Sequence, residues 1–281
     1  MLGRNAIQSG AIIGKDRSCI KARSGVNWCP QYRNVYNAFS TKPSWTIANL
    51  QNTMLKTIVD SGAWSVLDWF VCLAGETEVE SRLDWKSLTK TCVNAGNGNV
   101  WTSLKGIKGS GAGYLKSGFV PSVDGVHIGP HNCTYGFCSN LDIASADQVE
   151  LGARYDTINN TVLYSRYTDG KALAKAHIIT DSYIGNNVSD RKGVYMIVKP
   201  ATNVSRYYKN NNLLGEAIVS FLHYVPNREI ALLAIGDGGL NYSLNQLSFA
   251  FAGGALTIAQ ISAVTNAINL YNDSISYFFD R

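Results

Sequence analysis

Short segments in which apolar and polar residues alternate follow one another through the second half of the chain, from about residue 106 to residue 254. In the segment 133–141, Cys133, Tyr135 and Phe137 fall on one face, because successive side chains of a strand point to opposite sides. Turns rich in Gly, Asn and Pro separate the segments. Further strands are predicted at 66–73, 100–104, 114–119, 149–155, 162–167, 194–198, 217–223, 230–235 and 247–252. The pattern predicts a mainly β protein, an antiparallel sandwich.

Two other segments repeat apolar residues at helical spacing. Pro43 and Ser44 open the first, which Gly62 ends, and it comes before the sandwich. The second closes the chain, and Thr257 with Gln260 three residues later has the spacing of a capping box. The apolar stripes are Ile47, Leu50, Met54, Ile58 and Val59 in the first helix, and Ile261, Val264, Ile268, Tyr271 and Ile275 in the second. The first stripe is predicted to pack on the sandwich, and the second on the sandwich or on a neighbouring subunit.

Residues 1–42 show no clear period, although they contain Trp28, Tyr32, Tyr36 and Phe39 among polar and Gly residues. Without a period, these aromatics are not expected to fold back on the sandwich as an amphipathic element. We therefore predict a docking arm over residues 1–42, whose aromatics fill pockets of a partner, and one cooperative unit over residues 43–281.

Composition excludes several classes of protein. Hydrophobic residues make up 46% of the chain and charged residues 16%, which argues against disorder. The net charge of +5 is spread over isolated basic pairs, so no nucleic-acid partner is expected. The apolar cluster at residues 11–13 is too short for a signal peptide or a membrane span, so neither secretion nor membrane insertion is predicted. The six cysteines are scattered and are expected to be reduced thiols.

The order of these segments resembles a known superfamily. The Asn-rich hairpin at 204–214, the motif IALLAIGDGG at 230–239 and the motif LSFAFAGGALTIAQISAVTNAINLY at 247–271 are similar to the concanavalin A-like, laminin-G-like jelly rolls. The pair Gly253 and Gly254, followed by Leu256 and Thr257, resembles the versions found in bacteriophage virion proteins. Residues 42–75 also resemble the helix and strand that precede the sandwich in those phage proteins.

The resemblance implies a concanavalin A-like jelly-roll sandwich with one helix before it and a C-terminal helix. It also implies a virion structural protein, a fibre component or a capsid decoration, that is assembled in the host cytoplasm. Other virion proteins and further copies of the chain are then the expected partners. Family members bind glycans or proteins through loops at one edge of the sandwich, sometimes with calcium, and a subset hydrolyses β-glucans.

Hydrolysis would need two carboxylates about 5 Å apart on one strand. Glu76, Glu78 and Glu80 alternate suitably, but they lie in a crossover ahead of the main sandwich and are expected to be solvated. His127 and His131 are four residues apart, yet Gly129 and Pro130 between them exclude the helix of a zinc protease motif. We therefore predict no enzymatic activity, with a glycan-cleaving depolymerase of the concanavalin-like glucanase type as the alternative.

Glycan binding needs a planar aromatic ring to stack on a sugar, with amides or carboxylates for its hydroxyls. Two clusters meet this requirement, and host-surface or other carbohydrate is the ligand they predict. They are Tyr183 with Asn186 and Asn187, and Tyr242 with Asp237 and Asn241. Oxygen ligands for a possible calcium ion are supplied by Asp181 and Asp190, and no other cofactor is predicted.

Overall fold

A computed structural model describes residues 27–143, 148–154, 160–178, 183–218, 224–236 and 241–279. The helices are α1 (Pro30–Ala38), α2 (Trp45–Asp60), α3 (Ala63–Val66), α4 (Glu78–Arg82), α5 (Pro121–Asp124) and α6 (Ile258–Phe279). The strands are β1 (Leu67–Cys72), β2 (Val93–Gly96), β3 (Val100–Thr102), β4 (Gly106–Lys108), β5 (Gly113–Lys116), β6 (Cys133–Ser139), β7 (Leu151–Arg154), β8 (Asn160–Tyr164), β9 (Lys171–Ile178), β10 (Ile184–Asn187), β11 (Gly193–Ala201), β12 (Val204–Lys209), β13 (Asn212–Ile218), β14 (Ala231–Leu232) and β15 (Gln246–Gly253).

The strands form two antiparallel sheets that pack face to face. In the described residues the back sheet runs β13-β12-β11-β6-β15-β4-β3, with β1 also paired to β15, and the front sheet runs β10-β9-β8-β7-β14-β5-β2. The mainly β sandwich predicted from the alternating pattern, with a helix before it and a helix after it, is therefore confirmed.

Two hydrophobic layers hold the sheets and helices together. Phe249 and Phe251 of β15 face the helices, whereas Ala250 and Ala252 of the same strand face the front sheet. This division follows from the two-residue period of a strand. Gly136 on β6 leaves the space that the Phe251 ring fills, since a Cβ there would lie 2.3 Å from that ring. The back sheet is thus apolar on both faces and is buried between two layers.

The helical layer lies on the outer side of the back sheet. Helices α2 and α6 contact each other, and the ring of Tyr271 on α6 packs edge-on against Phe249 at 5.5 Å. The predicted capping box begins α6, because Gln260 accepts the Thr257 N–H at 2.9 Å while its own N–H reaches the Thr257 hydroxyl at 3.3 Å. The C-terminal stripe therefore packs on its own sandwich. In the described part of the chain, no helix is long and apolar enough to cross a membrane.

The prediction that Trp28, Tyr32, Tyr36 and Phe39 cannot fold back on the sandwich is wrong. Residues 30–38 form α1, an additional helix before the sandwich. Tyr32 and Phe39 are 0% and 4% exposed, and Trp28 and Tyr36 pack against the same core. These side chains therefore fill pockets of their own chain, and they are not the free docking anchors that were expected. Residues 1–26 of the predicted arm lie outside the described residues.

A second correction concerns the acidic crossover, where the described residues do not form a solvated loop. Glu80 is only 2% exposed and forms a capping box with Thr77 at the start of α4. Its carboxylate also accepts a hydrogen bond from the buried Gln51 side chain. Of the three glutamates, Glu78 is the one that forms an exposed ion pair, with Arg82. A helix turn replaces the predicted alternation, so the three carboxylates do not share one strand face.

Candidate functional site

The outer face of the front sheet carries a group of tyrosines. On β8, Leu163 points into the inter-sheet core, so Val162 and Tyr164 point outward. Tyr114 on β5 lies on the same outer face, three strands away in the sheet order. We call the five rings on this side the tyrosine platform, and its members are Tyr114, Tyr164, Tyr167, Tyr183 and Tyr242.

Tyr183 lies just before the edge strand β10. Of the three neighbouring platform tyrosines Tyr164, Tyr167 and Tyr183, it is the most exposed. Its side chain is 38% exposed, while Tyr164 beneath it is 3% exposed. The two rings meet edge to face with centroids 5.9 Å apart, and Tyr167 packs against Tyr164 in the same way at 5.3 Å. The Lys175 ammonium lies 4.9 Å from the Tyr183 ring centroid. Two neighbours, Tyr164 and Lys175, thus contact the partly exposed ring of Tyr183, and Tyr167 supports Tyr164.

Tyr164 is a neighbour of one residue from each of the two clusters that the sequence suggested separately. Burial raises the pKa of Tyr164, the adjacent Tyr183 hydroxyl raises it further, and the side chain of Asn241 lowers it. Tyr183 and Asn241 therefore reach the same hydroxyl although they are far apart in sequence. Tyr242 is placed elsewhere on the platform, with its ring centroid 6.4 Å from that of Tyr114.

The remaining predicted glycan ligands lie at the sheet edge or outside the described residues. Asn186 and Asn187 are exposed on β10, and the Asn186 side chain accepts the Asn187 N–H at 2.8 Å. Asp237 lies outside the described residues. Strand β10, which follows Tyr183 in the chain and forms the edge of the front sheet, therefore carries two exposed amide side chains.

The calcium site predicted at Asp181 and Asp190 stays a prediction, because the structure describes only one of the two ligands. Asp181 lies outside the described residues, and the Asp190 carboxylate is 3.0 Å from the Lys209 ammonium. Partial burial acts to raise the pKa of Asp190, but the hydrogen bond and charge of Lys209 outweigh it, so the pKa is lowered. Among the described residues, no three His, Cys, Asp or Glu side chains converge in a way that would hold a metal ion.

Sequence reasoning missed an Asp–His pair at the start of β1, in which the aspartate is buried and the histidine is exposed. His127 Nδ1 lies 2.6 Å from Asp68 Oδ1, so the partner of His127 is this carboxylate. The aspartate side chain is 3% exposed and also accepts the backbone N–H groups of His127 and Ile128. Asp68 alternates with the core residues Leu67 and Trp69, and that interruption of an apolar strand was the available signal.

A polar groove of about 780 Å³ runs between α6 and the ends of β6 and β11. Its lining is rich in side-chain amides, among them Asn140, Asn210, Asn269 and Asn272. Several of these amides bond within the chain, as Asn272 does to the Ser248 hydroxyl at 3.2 Å. Among the described residues that line the groove none is aromatic, so these residues lack the stacking surface that the tyrosine platform provides.

Known structures share this fold at low sequence identity. Domain 4 of AbnA, a GH43 extracellular arabinanase from Geobacillus stearothermophilus in complex with arabinotriose, matches with a TM-score of 0.51 and 10% identity over 71% of this chain and 98% of that one. The binding domain of botulinum neurotoxin serotype D matches with a TM-score of 0.50 and 10% identity, over 72% of this chain and 52% of that one.

A mutant of Trypanosoma rangeli sialidase displaying trans-sialidase activity also matches, with a TM-score of 0.50 and 12% identity. The match covers 80% of this chain but only 39% of the sialidase. No protein-family model matches the sequence, and no curated protein matches it. At such identities the likeness establishes the β-sandwich fold, which unrelated functions share.

Proposed function

We propose that this protein is a non-catalytic carbohydrate-binding protein whose binding surface is the tyrosine platform around Tyr183. The observation that carries the proposal is the partly exposed Tyr183 ring, held by Tyr164 and Lys175, with the exposed amides of Asn186 and Asn187 on the strand that follows it. A fixed aromatic face with adjacent hydrogen-bonding groups is what stacking on a sugar ring requires. The arabinanase domain that shares this fold was solved with arabinotriose, which supports a carbohydrate as the ligand class.

A depolymerase is the alternative, and one observation favours it. Burial raises the pKa of Glu80 to about 7, as for a general acid in a glycosidase, although hydrogen bonds from Gln51 and the α4 turn act against the shift. The carboxylate is occupied by the hydrogen bonds that it accepts from the Gln51 side chain and from the N–H groups of Glu76 and Thr77, and the residue is 2% exposed. A catalytic acid has to reach the glycosidic oxygen, so we favour binding without hydrolysis.

We further propose that the protein is displayed on a bacteriophage virion, as a fibre component or a capsid decoration, and that it is assembled in the host cytoplasm. The resemblance of residues 42–75 and of the Gly253 to Thr257 motif to phage virion proteins supports this assignment. Other virion proteins and further copies of the chain are its proposed partners. Mass spectrometry of purified particles tests the placement, and absence of the chain from every particle would contradict it.

The binding proposal is tested with the purified protein on an array of host-surface and plant oligosaccharides. We expect Tyr183→Ala to weaken binding at least about tenfold, because truncating an aromatic anchor typically costs this much or more. Tyr277→Ala is the matched control, since Tyr277 is 61% exposed on α6, on the other side of the sandwich. Equal binding by both variants would exclude the platform. Release of reducing ends from a bound glycan would favour the depolymerase.

A further inference from the structure

The tyrosine platform contains two pairs of rings, and in each pair a buried tyrosine supports a more exposed one. Tyr164 is 3% exposed and supports Tyr183, with the ring centroids 5.9 Å apart. Tyr114 is 8% exposed and supports Tyr242, with the centroids 6.4 Å apart. The supported rings are both accessible, since Tyr183 is 38% exposed and Tyr242 is partly exposed. Each pair therefore offers one ring for stacking on a ligand.

The two pairs lie side by side across the front sheet. One row of mutually paired residues crosses strands β5, β14, β7 and β8, and its members all point into the inter-sheet core: Leu115, Leu232, Leu151 and Leu163. Tyr114 directly precedes this row on β5, and Tyr164 directly follows it on β8. Because neighbouring strands run in opposite directions, both tyrosines belong to the same next row. They are therefore three strand spacings apart, about 14 Å, along a line perpendicular to the strands.

An exposed amide connects the two pairs. The side chain of Asn241 is hydrogen-bonded to the Tyr164 hydroxyl, and the next residue in the chain is Tyr242. Asn241 is itself exposed. A group that can both donate and accept hydrogen bonds thus lies between the two accessible rings, where the hydroxyls of a sugar would need a partner.

The platform differs from the concave sites of this protein. The polar groove of about 780 Å³ and a pocket of about 400 Å³, whose lining includes Asp68 and Asp84, are both lined by residues other than the five tyrosines. A concave site can enclose most of one small ligand. A ring on a sheet face contacts only one side of a sugar, so a platform gains affinity mainly when several linked sugars are bound together.

We propose that the platform binds the interior of a linear polysaccharide that runs across the strands, with Tyr183 and Tyr242 each stacking on one sugar residue. Because the supporting rings are about 14 Å apart, one sugar ring does not reach both, and about three linked residues are needed. The hydroxyls of the middle residue then face Asn241. The inference rests on the proposed carbohydrate binding and specifies its ligand as a polymer chain, in contrast to a single terminal sugar.

The test is isothermal titration calorimetry of the full chain with arabino-, cello-, xylo- and manno-oligosaccharides of one to six residues. In the series that binds, we expect the affinity to rise at least about tenfold from the disaccharide to the tetrasaccharide and then to level off, because both rings are then occupied. Tyr242→Ala should abolish this rise and leave disaccharide binding at Tyr183 unchanged.

Two further variants serve as controls. Tyr242→Phe retains the ring and should bind like the wild type, because stacking does not need the hydroxyl. Tyr277→Ala, at a 61% exposed site on α6, should also retain the dependence on chain length. If Tyr242→Ala does not fold, the chain-length dependence of the wild type and its loss in Tyr183→Ala decide.

The outcomes separate this inference from the proposed function. Equal affinity for disaccharide and hexasaccharide that still depends on Tyr183 would overturn the extended chain and leave carbohydrate binding standing. A rise with chain length that Tyr242→Ala retains would overturn the role of the second ring. Binding on the glycan array without binding to any of the four series would overturn the linear polymer as ligand. Absence of binding in both assays would contradict the proposed function itself.

Discussion

Two groups of aromatic side chains lie on opposite sides of this sandwich and differ in how far they are buried. Tyr32 on α1 packs against Trp85, donates a hydrogen bond to Gln51 on α2 and is 0% exposed. Tyr183 at the edge of the front sheet is 38% exposed. Both were singled out in the sequence for binding roles, and neither belongs to a clear periodic pattern. The difference shows that a second layer of structure, and not the residue type, decides whether an aromatic ring becomes core or binding surface.

The polar partners of the two tyrosines differ in the same way. The Tyr32 hydroxyl donates to Gln51 at 2.8 Å, and the same glutamine donates to Glu80, so the three buried groups form one chain of hydrogen bonds. Tyr183 instead shares the Tyr164 hydroxyl with the exposed Asn241. A chain of buried hydrogen bonds contributes to stability only when complete, whereas partners at the surface can be exchanged for a ligand.

The largest expected effect is on stability at Tyr32. Tyr32→Ala removes a fully buried ring and leaves Gln51 without its donor, so the free energy of unfolding should fall by about 3 kcal/mol or more. Tyr277→Ala, at an exposed site, should change it by less than about 0.5 kcal/mol. Urea unfolding of both variants measures the difference. A loss below about 1 kcal/mol at Tyr32 would mean that α1 is not part of the core.

The next effect is a dependence of stability on pH. Burial raises the pKa of Glu80 from an ordinary value of 4.5 to about 7, so the folded state holds the proton more tightly than the unfolded state. The contribution of Glu80 to the free energy of unfolding is therefore greatest below pH 4.5, and it is lost as the pH rises through 7. Between pH 5 and pH 8 we expect a loss of about 2 kcal/mol.

Two matched variants isolate this effect. Glu80→Gln should remove the share of the pH dependence that Glu80 contributes, because the amide imitates the protonated form and does not titrate, whereas Asp84 and Glu150, whose pKa values burial also raises, still titrate. Glu78→Gln should retain it, since the Glu78 side chain is 51% exposed in its pair with Arg82. Urea unfolding of the wild type and of both variants at pH 5 and pH 8 measures the effect. An unchanged pH dependence in Glu80→Gln would show that another group is responsible.

At the front sheet the expected change in stability is smaller. Tyr183→Ala loses an edge-to-face contact and a cation–π contact, so we expect a cost of about 1 kcal/mol. The same variant should lose most of its glycan binding. Thermal unfolding measured beside the binding assay distinguishes the two effects, and a cost near that of Tyr32→Ala would place Tyr183 in the core.

The smallest effect is expected at Asp190. Its carboxylate is paired with Lys209 near the surface, so Asp190→Asn should cost less than about 1 kcal/mol. Because the lysine already neutralises the carboxylate, millimolar calcium should leave the unfolding temperature unchanged in both proteins. A calcium-dependent rise in the wild type that Asp190→Asn abolishes would instead restore the calcium site.

Much of the architecture could be predicted because apolar residues repeat at helix or strand spacing over neighbouring positions. The stripe from Ile47 to Ile58 and the Thr257–Gln260 box define helices from neighbouring residues alone, and the structure confirms both. The Glu80 error arose where two local signals compete. The alternation of residues 76–80 suggests a strand face, but Thr77 with Glu80 is also a capping box, and the helix turn prevails because it buries Glu80 against Gln51.

The sequence by itself determined the class of fold, the two long helices and the residue types suited to sugar binding. Tertiary structure alone decided which rings are covered, that Tyr183 and Asn241 meet at Tyr164, and that Asp68 and Asp84 line one pocket. The physical reason is that strand and helix periods depend on residues a few positions apart. Burial and pairing depend on which distant segments pack together, and that information is absent from any local pattern.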